Sequence, residues 1–418
     1  MIGSHVHQKV RCESGYASDR SYVRRFAHSR NCHALRPARG PSWLTHRSPQ
    51  EAATFMRGIR PFDASDIPLV TALHCDAFAN PQPRSEAARE EYHRWLSTVF
   101  LENPMRTPGI GSIVFEEDGQ LIGFLGVVPR RLQLNGRTYQ ASVCSNFCVR
   151  PDRRGGVGAQ LLSQYRNMPH DVAFVDEVRD RAAALFERCG WNVSGLQSVR
   201  WVLPLRPVER LLSTFQYRLP AQFITAGRPV TRALDSMLRR VPRSPFRVEA
   251  PELVAKQMAS PDLARLIGDF AAPSDLRPVT TDGSTAWLVE RARGMTQQGE
   301  LHLLSVEDAR GETVGWCVYY AVTGGQGEVL QLVSTREAAK GVLDALAHHA
   351  YVRGTASLSG TLHPTFLPHL AARRAFFDSA SGSRWMLVHT QKREIMEAFW
   401  RGDLLISRLD GEWFQHLR

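Results

Sequence analysis

The stretch from Phe147 to Leu162, FCVRPDRRGGVGAQLL, constrains this chain more than any other part of its sequence. Its β-rich start ends at Pro151, a basic glycine-rich loop follows, and Leu161 and Leu162 then begin the apolar face of a helix. Small residues let a ligand approach the backbone, while the unpaired N–H groups and the dipole of a helix N-terminus favour an anion. The stretch therefore predicts a phosphate-binding turn between a strand and a helix.

The residues before this turn predict an antiparallel meander. Two Asx-Gly pairs, Asp118-Gly119 and Asn135-Gly136, separate β-rich runs and are strong hairpin signals. A meander upstream argues against a dinucleotide-binding βαβ unit, and the absence of GK[ST] after the loop excludes a Walker A motif.

Three segments in the same order resemble the GNAT acetyltransferases. Arg153-x-x-Gly156-x-Gly158 fits the R/Q-x-x-G-x-G/A loop of that family, and Val149-Arg150-Pro151 resembles the V-x-P that precedes it. Downstream, Ala184–Trp191 is similar to the family's A-x-L-Y-x-x-x-G-F segment. A single glycine loop is a weak signal, but three motifs in order after a meander are specific.

The resemblance implies an α+β chain whose residues 56–207 form a GNAT fold, a mixed and mostly antiparallel sheet flanked by helices. It implies an acyl-CoA-dependent N-acetyltransferase that uses acetyl-CoA, or another acyl-CoA, and needs no metal. The acceptor would be an amine or hydroxyl of a small molecule, glycan or peptide. The residues implied to hold the co-substrate are Phe147, Cys148, Val149, Arg153, Arg154, Gly155, Gly156, Val157, Gly158 and Ala159.

Asp176 and Glu177 follow the short apolar strand 173–175 and are the acids closest in sequence to the implied cleft. An ammonium acceptor must lose a proton before it attacks, so either carboxylate is a candidate catalytic base. The alternative is that they cap the helix predicted over residues 178–188.

Two departures from the family pattern bear on the chemistry. The loop from Pro151 to Gly158 is one residue shorter than usual, and Phe186 stands where many members place a tyrosine that protonates the departing thiolate. Period two places Cys144, Asn146 and Cys148 on one strand face. Cys148 is either a nucleophile or, as we favour, a buried structural thiol.

The charge distribution and the cysteines indicate what residues 1–55 form and in which compartment the protein lies. Residues 1–55 carry nine Lys or Arg and three acids, so they hold +6 of the total net charge of +11. They lack an apolar period, and we expect a disordered basic extension, or a true start at Met56. The seven scattered cysteines form no CxxC pair and indicate a reducing, cytoplasmic location. No apolar run approaches the roughly 18 residues of a membrane span.

The second half repeats the order of elements. Residues 208–250 predict a basic linker with helices, and the absence of aromatic interleaving argues against nucleic-acid binding there. Residues 251–418 predict a divergent GNAT-like domain, and its corresponding turn, Ser334–Glu337, has no glycine. Two alternatives remain. One is a Fem-like aminoacyl transferase, which the tandem layout and basic charge favour. The other is a catalytically silent GNAT-fold binding protein.

Overall fold

The computed structural model describes residues 57–78, 85–154, 156–214, 221–241, 244, 246–270, 275–378 and 384–412. The extension expected over residues 1–55 and Gly155 of the glycine loop lie outside these residues. Phe55–Arg418 forms one unit, and two mixed sheets with flanking helices organise its described part.

The strands are β1 (Arg57–Pro61), β2 (Ile113–Glu117), β3 (Gln120–Leu134), β4 (Arg137–Val149), β5 (Val172–Val178), β6 (Asn192–Val193), β7 (Arg200–Pro204), β8 (Val254–Gln257), β9 (Arg277–Pro278), β10 (Glu300–Glu307), β11 (Thr313–Ala321), β12 (Gln326–Ser334), β13 (Ser357–Thr361), β14 (Phe376–Asp378) and β15 (Trp385–Thr390). The helices are α1 (Ile67–Phe78), α2 (Glu86–Leu96), α3 (Val157–Arg166), α4 (Asp180–Arg188), α5 (Gly195–Ser198), α6 (Pro207–Thr214), α7 (Ala221–Arg240), α8 (Ser260–Phe270), α9 (Asp282–Gly294), α10 (Ala339–Val352), α11 (Leu367–Ala372) and α12 (Arg393–Arg401).

Both predicted hairpins are present in the first sheet. Asp118 and Gly119 join β2 to β3, and Asn135 and Gly136 join β3 to β4, each pair with positive φ. Two consecutive residues at positive φ match the right-handed twist of the strands they connect, which is why Asx-Gly is a reliable signal.

Strand β3 continues through Pro129, and the residues on both sides of this proline pair with β4. On its other side β3 pairs with β2 only as far as Leu125 and with β9 only from Leu132. Pro129 lies in the interval between them, where its missing N–H costs no ladder hydrogen bond.

The two sheets repeat one motif, a meander followed by a parallel pair that separates. Strands β4 and β5 pair from Ala141 to Val143 and then diverge. In the second sheet β12 and β13 pair in parallel from Gln326 to Val329 and diverge in the same way. Each divergence leaves a gap beside the N-terminus of the next helix, α3 or α10.

Each half of the chain contributes its last strand to the sheet of the other half. The first sheet runs β1-β2-β3-β4-β5-β15-β6, with β9 on β3, and the second runs β14-β7-β13-β12-β11-β10-β8. Thus β7 completes the second sheet and β15 completes the first. The predicted boundaries at residues 207 and 251 therefore do not separate the two sheets. Sequence patterns show where strands occur but not which distant strand each one joins.

The first sheet is covered on both faces. Helices α1, α2 and α12 pack on one face through a core that includes Trp95, Phe124 and Phe399. Helices α3 and α4 pack on the other through Leu161 and Phe186. The gap between β4 and β5 thus opens between two layers.

Candidate functional site

The glycine loop presents unpaired amides. Helix α3 begins at Val157, and Gly156 before it has no side-chain cap. The first backbone hydrogen bond at this end runs from the Gln160 N–H to the Gly156 carbonyl, at 3.1 Å. The N–H groups of Val157, Gly158 and Ala159 therefore lack intrahelical acceptors. A Cβ on Gly156 would meet only Gln160, at 3.8 Å, so the space in front of the loop is open. An anion fits there.

The arginines of the loop differ in their partners. Arg153 forms an ion pair with Glu117 at 2.7 Å, and Arg150 binds Asp152 at 2.7 Å. Arg154 is exposed and has no ion-pair partner among the described residues. Arg154 is therefore the cation of this turn that can reach a ligand without breaking an existing pair.

The wall of the gap beside the loop is apolar. The Phe147 ring packs edge-on against Phe186, with centroids 5.9 Å apart. A Cβ on Gly158 would lie 3.2 Å from both Phe147 and Leu185, so α3 approaches this wall closely. Phe186 is itself fully buried, and no phenol replaces the tyrosine that many family members have there.

A β-bulge in β4 overturns one prediction about its faces. Asn146 has φ of 52°, and the register with β3 shifts by one residue between Ser145 and Cys148. Because the extra residue inverts the alternation, Cys144 and Cys148 lie in opposite cores. The shared face expected from period two is wrong.

Burial decides the chemistry of the two thiols. It raises the pKa of Cys148 to about 12 and raises that of Cys144 well above its usual range. Because the thiolate is the nucleophilic form, neither residue suits covalent catalysis near neutral pH.

The free edge of β4 supplies further donors. Arg150 donates its N–H to Ile122 of β3, at 2.8 Å. Amides alternate in direction along a strand, so those of Val149 and Phe147 point away from β3 toward the gap. Phe147 and Val149 are among the residues that the resemblance implies for holding the co-substrate.

Asp176 and Glu177 lie inside β5, not beyond it, and helix α4 is preceded by Arg179 without a side-chain cap. The helix-capping interpretation is therefore wrong. Asp176 Oδ1 accepts the backbone N–H of Glu412 at 2.7 Å, and Glu177 is ion-paired with Arg408. Burial raises the pKa of Asp176 to about 6, although the charge of Arg408 opposes the shift.

Both acids contact residues 407–412, which we call the C-terminal strap, and Glu177 also pairs with Arg384 at 3.1 Å. Arg408 of the strap is buried, and it pairs with Glu177 of β5 and with Glu328 of β12, the latter at 2.8 Å. Glu328 also binds Arg200 at 2.6 Å. Burial opposes ionisation of Arg408, but the surrounding carboxylates prevail and raise its pKa. The strap thus joins the two sheets at the mouth of the first gap.

Glu412 is the residue that sequence reasoning missed. Its carboxylate is buried and accepts the backbone N–H of Glu177, and burial raises its pKa well above the usual range, with Asp176 and Glu177 adding to the shift. The sequence predicts a compact turn around residues 409–413, which the 3₁₀ turn Arg408–Asp410 matches. No local signal places that turn at the gap, because the hydrogen bond to Asp176 spans 236 positions.

The gap between β12 and β13 differs in its lining from the gap between β4 and β5. A cavity of about 450 Å³ lies where β12 and β13 diverge, and residues 402–408 form part of its lining. The turn before α10 has no glycine, and Arg336 is its one basic residue. A second cavity, of about 780 Å³, lies at the C-terminal end of α3, away from the glycine loop.

Comparison with known families decides the assignment. Residues 58–176, which run from β1 through the meander and the glycine loop into β5, match the acetyltransferase (GNAT) domain family. This stretch of the chain is therefore similar to a GNAT acetyltransferase domain. GNAT domains catalyse acyl transfer, and their usual donor is acetyl-CoA. No curated protein matches the chain in sequence.

Solved structures support the same fold. An Enterococcus faecalis protein of unknown function, titled a probable N-acyltransferase, superposes with a TM-score of 0.52 at 10% identity, covering 80% of this chain and 73% of its own. A GCN5-related N-acetyltransferase from Anabaena variabilis gives 0.50 at 13% identity, with 79% and 72% covered. At such low identities these two structures show a similarity of fold alone.

Within the ranges given above, three or more His, Cys, Asp or Glu side chains nowhere group in a way that could hold a metal ion. Among the same residues, every helix is too short or too polar to cross a bilayer.

Proposed function

We propose that this chain transfers an acyl group, in the first place acetyl, from acyl-CoA to an amine or hydroxyl acceptor. One observation carries the proposal: an uncapped helix N-terminus behind an open glycine loop adjoins the gap between β4 and β5. When bound, acetyl-CoA supplies an activated thioester. The chain's own residues must hold its phosphates, align its arm and remove a proton from the acceptor.

Binding is assigned to three groups of residues. Gly156 and the amides of Val157–Ala159 face the pyrophosphate, where the helix dipole favours negative charge. Arg154 adds an exposed cation, and Arg153 shapes the loop through Glu117. The amides of 147–149 orient the arm along β4.

Asp176 is the proposed proton acceptor, with the Glu177–Arg408 pair and Glu412 positioning it. A base works best when its pKa lies near the working pH, and burial brings Asp176 to about 6. Its Oδ2 has no hydrogen-bond partner among the described residues and lies against Gly411 of the strap. We assign no acid to the thiolate, which is a tolerable leaving group with a thiol pKa near about 8.5.

The test is calorimetric titration with acetyl-CoA. Gly156→Val should abolish binding while leaving the melting temperature unchanged, because the side chain would fill the open space in front of the loop. Gly283→Val is the matched control, since Gly283 lies in the first turn of α9 and a Cβ there would have nothing within 4 Å. Equal affinity in Gly156→Val and the wild type would refute the site.

A second candidate function, binding without turnover, is favoured by the buried Phe186 and by the salt bridge of Glu177. Release of free thiol from acetyl-CoA in the presence of amines separates the two. Binding with no thiol release above the buffer rate would leave the silent binding protein. An aminoacyl transferase would instead bind aminoacyl-tRNA and ignore acetyl-CoA.

A further inference from the structure

Residues 206–247, which contain α6 and α7, are unusually basic. They hold nine arginines and two acids, a net charge of +7, whereas the chain outside this segment and residues 1–55 carries a net −2. Both acids, Glu209 and Asp235, are buried. Among the described residues of the segment, therefore, no exposed carboxylate offsets the arginines.

Helix α7 directs a polar face inward. Asp235 accepts the backbone N–H groups of Val208 and Glu209 at 2.8 and 3.0 Å, which caps the N-terminus of α6. Thr231, one turn earlier, is buried on the same side. The contact between α6 and α7 is therefore polar at its centre, the reverse of an ordinary amphipathic packing.

The outward face of α7 is apolar instead. Four large side chains of α7 and that of the residue after it are exposed by 38–64%: Val230, Leu234, Met237, Leu238 and Val241. Their spacing of i, i+4, i+7, i+8 and i+11 places them in one arc of roughly 100° on the helix. We call this surface the α7 stripe. A contiguous apolar face on a basic segment marks an interaction site more than a solvated linker.

Two arginines fix the helix pair to the body of the protein. Arg206 stacks on the ring of Tyr351, 4.2 Å from its centroid, and Arg210 binds Gln326 and Ser357 at 2.8 and 2.9 Å. These contacts anchor α6 on the second sheet. Of the other arginines whose side chains the structure describes, Arg240 is exposed, and Arg247 is exposed and lies 2.9 Å from the exposed Glu249.

The positive charge of residues 206–247 and the apolar α7 stripe together indicate the kind of partner that would bind. A second copy of the chain would bring two segments of +7 together, which repel each other. A nucleic acid would use the charge but leave the stripe in water. An anionic bilayer takes apolar side chains into its interface and attracts the arginines to its headgroups. We propose that the α7 stripe binds the surface of an anionic lipid bilayer.

Vesicle flotation of the full chain tests this proposal. Vesicles of phosphatidylcholine with about 30% phosphatidylglycerol should carry the protein, and pure phosphatidylcholine should carry about tenfold less. The triple variant Val230→Ser, Leu234→Ser, Met237→Ser should reduce binding to the anionic vesicles about tenfold or more. The matched control replaces three exposed apolar residues elsewhere, Leu69, Val352 and Trp400, with serine and should bind like the wild type.

Three results would overturn the proposal. Equal flotation of the triple variant and the wild type would attribute binding to the charge of residues 1–55, which both proteins contain. Failure of the wild type to float with anionic vesicles would remove the partner itself. A wild-type dimer that the triple variant converts to a monomer, measured by light scattering without lipid, would assign the stripe to a second copy of the chain.

Discussion

The backbone amide of Glu412 donates a 2.7 Å hydrogen bond to Oδ1 of Asp176, so the C-terminal strap closes directly on the candidate base. The neighbouring Gly411 lies so close that a Cβ would overlap the Asp176 carboxylate. Access to the first gap and the proton affinity of its acid therefore depend on residues from the other end of the chain.

Gly411→Ala should displace the strap. We expect a loss of about 1–3 kcal/mol in the free energy of unfolding, because the added methyl group has no space. The rate of thiol release from acetyl-CoA should also fall, because Glu412 would no longer be held against β5. Denaturant unfolding and the thiol assay measure the two effects. Gly268→Ala, in open space on α8, is the control and should be neutral or slightly stabilising.

Arg408→Met should be strongly destabilising. It leaves Glu177 and Glu328 buried without this cation, and breaking a buried pair from one side typically costs about 3–5 kcal/mol. Arg393→Met removes an exposed pair with Glu397 and should change stability by less than about 1 kcal/mol. Similar unfolding midpoints for the two variants would show that the Arg408 network does not join the sheets energetically.

Asp176→Asn should lower kcat while leaving acetyl-CoA affinity unchanged. In the wild type, kcat/KM should rise with pH through a limb near pH 6, where the Asp176 carboxyl loses its proton. The variant should lose that limb. If it keeps both the rate and the limb, another group, with Glu412 the first to examine, removes the proton.

The second half contains an acid-sensitive pair. The Tyr319 hydroxyl lies 2.6 Å from His349 Nδ1, and the ring of His302 lies 5.0 Å from that of His349. Burial lowers the pKa of His349 to about 4, with His302 and Arg353 adding to the shift and Glu300 opposing it.

An unfolded chain takes up this proton below about pH 6.5, before the folded chain does. Stability contributed by neutral His349 is therefore present above pH 6.5 and falls progressively toward pH 4. Thermal melts across this range should show the loss of stability. In His349→Gln the loss between pH 6.5 and pH 4 should be smaller by about 1–2 kcal/mol, a figure discounted for the partial exposure of His349. Parallel curves for both proteins would contradict the assignment.

The strand exchange predicts that neither half folds alone. Residues 251–418 lack β7, whose Trp201 is buried beneath β13, and residues 56–207 lack β15. Each fragment should be insoluble or poorly structured by circular dichroism. Coexpression of residues 56–241 with 246–418, which keeps both exchanged strands, should restore a folded complex. A folded, monomeric 251–418 fragment would argue that β7 is dispensable.

Local features of the fold were predictable and long-range ones were not. The turns at Asn135-Gly136 and the loop before Val157 follow from the residues that form them. The faces of Cys144 and Cys148 were predicted wrongly because a single bulge inverts the alternation. The environment of Asp176 could not be predicted, since Arg408 and Glu412 reach it only through the folded arrangement of both sheets.

The exchange of β15 also has a consequence for biosynthesis. Strand β5 ends at Val178, but the strand that covers its outer edge begins only at Trp385. At about 5–20 residues per second, a ribosome needs about 10–40 s to span that interval. Throughout that time the nascent chain exposes an unpaired strand edge, the kind of surface that recruits other chains. The yield of this protein in a cell is therefore set by protection of the emerging chain as well as by the stability of the finished one.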